Sequence, residues 1–159
     1  MKSHTRLTKK LDKKRVIICL LVFFALMPIF SYLHEAGHAL VCTADGNEAE
    51  ISVDIFNGGT TLCHGDVSNL FAYKISGGLV AGIVGTAAGI ALFRWKIPFI
   101  AITTIGIGHL INAGIEAFAD SYFTHGVEWS FFMGLVEFVI FLTLLIIFDR
   151  KMVKRNDVL

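Results

Sequence analysis

From Val16 to Leu33 the chain carries no charged side chain, and this stretch limits what it can fold into more than any other feature. As an α-helix it would extend about 27 Å, close to the hydrocarbon thickness of a bilayer. In lipid every backbone N–H and C=O must be satisfied internally, which a helix does by itself. Residues 1–15 are polar and basic, with Lys2, Arg6, Lys9, Lys10, Lys13, Lys14 and Arg15. A basic start before an apolar run also opens secretory signal peptides. Here the run is too long and no small-residue cleavage site follows it, so a retained membrane helix is expected from Val16 to Val41.

Three more stretches read the same way: Leu70 to Phe93, Ile97 to Ala119 and Val127 to Phe148. Hydrophobic residues make up 55% of the 159 and charged ones 17%, the balance of a polytopic membrane protein rather than a soluble domain. That length leaves no room for a second folded domain beside a membrane core. Nothing resembles a nucleic-acid-binding module. Residues 43–69 form the one aqueous stretch. Ile51, Val53 and Ile55 alternate with Ser52, Asp54 and Phe56, Asn57-Gly58-Gly59 signals a turn, and Thr60 to His64 can return as a partner strand. The expected fold is an all-α membrane protein of four transmembrane helices, with a β-hairpin inserted between the first and second. A basic cytoplasmic arm (1–15), a membrane core (16–148) and a polar tail (149–159) follow from the same reading. In the second helix Gly78, Gly82, Gly85 and Gly89 repeat at helical spacing, giving a smooth face on which another helix can pack.

Four spans put both termini on one side. The amino-terminal arm, the Arg94-Trp95-Lys96 link and the tail then share that side and hold every Lys and Arg except Lys74. The positive-inside rule makes it the cytoplasmic side of a cell membrane and turns the hairpin outward. Cys42 and Cys63 both fall on the outer side, and the sequence leaves open whether they pair. Cys19 lies within the first helix, where packing explains it.

The first apolar run ends in His34-Glu35-Ala36-Gly37-His38, an H-E-x-x-H pattern. On a helix the two histidines stand one turn apart on one face, where both imidazoles can reach a single metal ion. The glutamate beside them can take a proton from water, as in zinc hydrolases. Three polar side chains on a membrane-length helix are costly unless they are used. The third helix carries a polar stripe of His109, Asn112, Glu116 and Asp120 within about 80° of arc. Counted from the cytoplasmic edge, His34 and His38 rise about 27 and 33 Å, and Glu116 and Asp120 about 28 and 34 Å. A carboxylate of the third helix can therefore complete the site. His109, about 18 Å up, is too low to be a first-choice ligand and is expected to pair with Glu137 of the fourth helix at about 16 Å. His64 and His125 are expected to be solvated loop residues.

These residues together resemble the site-2 protease family of intramembrane zinc metallopeptidases, in its compact branch without soluble domains. His34-Glu35-Ala36-Gly37-His38 is similar to the family's H-E-x-G-H, and Ser76 to Gly82 to a small-residue segment that follows its hairpin. Asn112 and Asp120 have the separation of the family's second motif. Ile115 stands where the family often has Pro, and Ser121 where it often has Gly. The resemblance implies one Zn2+ per chain held by His34, His38 and Asp120, with Glu116 as the rival third ligand. Glu35 is implied as the catalytic base, and Asn112 as a substrate-binding or structural group. It implies cleavage of transmembrane proteins or peptides within the lipid bilayer, with residues 49–56 as a strand edge that captures the unwound substrate. Two other classes stay open. An ion or proton transporter would use His109, Glu116, Asp120 and Glu137, and a catalytically silent family member would bind membrane proteins without cutting them.

Overall fold

The structure is a computed structural model, and it describes residues 13–54, 58–119 and 126–156. In chain order the elements are α1 (Lys13–Ala44), β1 (Glu48–Asp54), β2 (Gly58–His64), α2 (Leu70–Ala91), α3 (Lys96–Phe118) and α4 (Gly126–Asn156). All four helices contain a segment long and apolar enough to cross a membrane. The hairpin lies between α1 and α2, as the alternation in the aqueous stretch leads one to expect. The helix α4 continues past Phe148, where the polar tail was expected to begin, through to Asn156. No Pro or Gly interrupts it there.

The glycine stripe of α2 packs on α3. A Cβ at Gly78 would come within 2.6 Å of the Ala113 nitrogen and the His109 carbonyl. One at Gly85 would stand 2.7 Å from the Gly106 Cα and 2.9 Å from a ring carbon of Phe30. Lipid tails are as apolar as leucine, so burying leucines contributes little to helix association in a bilayer. Close backbone approach and dispersion contacts hold such helices instead. On the other side of α3, Cys19, Phe99, Ile100, Phe141, Leu145 and Phe148 form an apolar cluster that joins α1, α3 and α4. Cys19 is a packing residue there, as expected.

The hairpin is antiparallel, with Ile51 opposite Thr61 and Ala49 opposite Cys63. Gly58 turns the chain at φ +84°, a conformation that L side chains rarely adopt. Alternate residues Ala49, Ile51, Val53, Gly59, Thr61 and Cys63 are the half-buried ones. Three devices anchor the hairpin and its return. Cys63 is disulfide-bonded to Cys42, one turn beyond His38 on α1, across 21 positions of sequence. Ser68 donates from both its hydroxyl and its backbone nitrogen to the Asp45 carboxylate, at 2.7 Å each. These two bonds hold the Asp45 carboxyl below its ordinary range, the hydroxyl contributing most. Asn69 then caps α2, its side chain accepting from the Ala72 nitrogen at 2.9 Å.

Two outcomes follow. Gly85→Leu should cost about 1–3 kcal/mol through overpacking against Gly106 and Phe30, read as a lower midpoint of thermal unfolding in detergent. In unreduced, denatured protein a maleimide should label Cys19 alone, and Cys42 and Cys63 should become reactive only after a thiol reductant is added.

Candidate metal centre

The helix α1 carries His34 and His38 on the face turned toward α2 and α3. Gly37, between them, lets the backbones meet: a Cβ there would stand 2.8 Å from the Gly77 Cα. The two imidazoles point their Nε2 atoms at one another, 3.2 Å apart. Glu116 of α3 enters from the opposite side, with Oε1 3.1 Å from His34 Nε2 and Oε2 3.6 Å from His38 Nε2. The three residues are 7%, 6% and 1% exposed, so the cluster is buried.

The donor set and its spacing fit a metal ion. A tetrahedral zinc site with bonds of roughly 2.0–2.1 Å has ligand–ligand edges of about 3.3 Å, and the distances of 3.1 and 3.2 Å at His34 Nε2 match that edge. One ligand atom from each of His34, His38 and Glu116 lies within 4.8 Å of the others. Gly77 leaves the neighbouring space open: a methyl group there would stand 2.8 Å from His34 Nε2 and closer still to His38 Nε2. The small-residue segment of α2 thus serves the site directly as well as helix packing.

The remaining atoms of the ligands are also held. His38 Nδ1 donates to the Tyr73 carbonyl at 2.7 Å, which leaves its Nε2 as a bare lone pair. Ser76 Oγ donates to the same carbonyl at 2.8 Å. Asn112 Nδ2 donates to Glu116 Oε1 at 2.8 Å, which orients the carboxylate. His34 Nδ1 lies 3.3 Å from Nδ1 of His109.

Glu35 is buried as well, on the side of α1 that faces the hairpin. Thr61 Oγ1 lies 2.7 Å from its Oε2 and 2.9 Å from its backbone carbonyl. Gly59 is the other neighbour of Glu35, and a Cβ there would run into the carboxylate side chain. Tyr73 ties the hairpin to the metal ligands, its hydroxyl reaching the Thr61 carbonyl at 3.4 Å while its own carbonyl holds His38.

One expectation changes. His109 does not pair with Glu137. It turns to His34, while Glu137 lies over Gly108 on the α4 side of α3. Counting rise along isolated helices ignores their tilt and the reach of side chains, and the two together erase the height difference assigned to His34 and His109. Asp120, expected as the third ligand, lies outside the described residues, as does His125. Among the described residues Glu116, expected as the rival, is the carboxylate brought to the histidines. His64 is exposed at the end of β2, 3.5 Å from Glu50, as a loop-side residue should be. Thr61, Gly77 and the Tyr73 carbonyl had no signal in the sequence beyond the strand period and the small-residue segment. Asn112 and Glu116 did, being four apart on one helix.

Purified protein should carry about one zinc per chain, measured by elemental analysis. His34→Ala, His38→Ala and Glu116→Ala should each lose it. Gly77→Ala should lose most of it although every ligand is intact, because the added methyl fills the space beside both nitrogens. Comparison of the chain with protein-family models, curated proteins and solved structures found no match.

Proposed function

We propose that this chain is an intramembrane zinc metalloprotease that hydrolyses peptide bonds of membrane-spanning substrates. The observation that carries the reading is the convergence of His34, His38 and Glu116 with Glu35 on the adjoining face of the same helix turn. His34, His38 and Glu116 would hold the metal, and Asp120 is the alternative third ligand that the family spacing names. Zinc bound there would acidify water and polarise the scissile carbonyl. Glu35 takes the proton from the attacking water and returns it to the amine that leaves. Thr61 fixes one oxygen of Glu35 by its hydrogen bond, which leaves the other to meet the water. Burial of the cluster strengthens each of these electrostatic contacts relative to water.

The topology of the reading is that of a multi-pass membrane protein with both termini cytoplasmic. The basic residues at the start of α1, between α2 and α3 and at the end of α4 support it. The Cys42–Cys63 disulfide belongs on the oxidising side, which is where this orientation puts the hairpin. A helical substrate hides its peptide bonds in its own hydrogen bonds and must unwind to be cut. In the sheet β1 pairs with β2 alone among the described residues, so its other edge is available to bind an extended segment by strand addition.

The test compares membrane proteomes of cells carrying the wild-type chain and Glu35→Gln. Loss of the general base should slow cleavage by about 10²–10⁴-fold, so that uncut membrane substrates accumulate while zinc content stays near one per chain. Cleavage that proceeds equally in both cells would refute the protease reading. Zinc content of Glu116→Ala beside Asp120→Ala decides between the two carboxylates.

A further inference from the structure

Both imidazoles that face Glu116 have their far nitrogen engaged, but by different partners. For His38 the partner is a backbone carbonyl. For His34 it is a side chain of another helix, the Nδ1 of His109 at 3.3 Å. Two neutral imidazole nitrogens at this distance share one proton, and this allows two arrangements. In the first, His34 carries its proton on Nδ1 and donates it to His109, so that its Nε2 is a bare lone pair directed at Glu116 and His38. In the second, His109 donates, the His34 proton sits on Nε2, and that nitrogen cannot bind a cation.

We propose that His109 is a positioning residue of the metal centre: the hydrogen-bond acceptor that holds His34 in the tautomer whose Nε2 can ligate zinc. The inference rests on the metal-centre reading and adds to it a residue that never touches the metal. Its placement is well determined. The His109 ring stacks on Phe30 at 6.2 Å between centroids and lies 5.2 Å from the His34 ring. Its backbone carbonyl is packed against Gly78 of α2. A neutral acceptor also suits the surroundings. A carboxylate at this position would add a second negative charge beside Glu116 inside a dry helix bundle, at a large desolvation cost.

The experiment uses the full chain in detergent, with zinc affinity measured by competition against a chromophoric chelator and Co2+ absorption as a second probe of coordination. His109→Leu should weaken zinc binding by about 10–100-fold. His109→Asn sets an amide oxygen near the position of the imidazole Nδ1, so it should stay close to wild type in affinity and in the Co2+ spectrum. His109→Gln carries its acceptor one methylene further out and should bind less tightly than His109→Asn. Formation of the Cys42–Cys63 disulfide and the melting temperature of the metal-free protein report folding. A folded His109→Leu variant that binds zinc as tightly as wild type overturns the inference and leaves the metal-centre reading standing. If His109→Leu does not fold, equal affinities of the Asn and Gln variants overturn it. A wild-type chain that takes up no zinc removes the metal-centre reading and this inference together.

Discussion

Two imidazoles and a carboxylate meet within a bundle of four helices of membrane-spanning length, and this meeting is the constraint to which the rest of the structure answers. None of the three groups is at home in a low-dielectric interior by itself. Brought to 3.1–3.6 Å of one another, they form a negatively charged pocket that a divalent cation suits better than any protein group present. The far nitrogen of each imidazole is engaged elsewhere, that of His38 by the Tyr73 carbonyl and that of His34 by His109, while Asn112 donates to the Glu116 oxygen nearest His34. The cluster is a network in which every ligand has been turned to one use.

Small residues make this network possible. Glu116 reaches α1 because α3 lies against α2, and α3 lies against α2 because Gly78, Gly82, Gly85 and Gly89 place no side chain between them. Gly37 and Gly77 do the same where α1 meets α2, at the height of the metal ligands. In a bilayer this economy serves stability and function at once, since close packing replaces the missing hydrophobic drive. Larger side chains at these positions would separate the helices by more than the reach of a carboxylate.

The hairpin supplies what the helices lack. Thr61 holds Glu35, Gly59 makes room for it, and the Cys42–Cys63 bond fixes β2 to the helix that carries both histidines. A two-stranded sheet is marginal by itself. Here the disulfide removes chain entropy from the unfolded state, by about 3 kcal/mol for a loop of this order, and Asp45 and Asn47 secure the return toward α2. The same staple that stabilises the hairpin also holds the strand beside Glu35.

The chain by itself determined the four spans, the insertion of a hairpin and the pairing of His34 with His38, because each depends on a local period. Apolar runs of helical length, a two-residue alternation and an i, i+4 spacing survive without knowledge of neighbours. The glycine face of α2 was legible for the same reason. Which residues meet across helices was decided by tertiary structure alone. The partner of His109 is His34 rather than Glu137, the carboxylate beside the histidines is Glu116, and Thr61 rests on Glu35. Each of these depends on helix tilt and side-chain reach, quantities that a one-dimensional rise of 1.5 Å per residue does not contain.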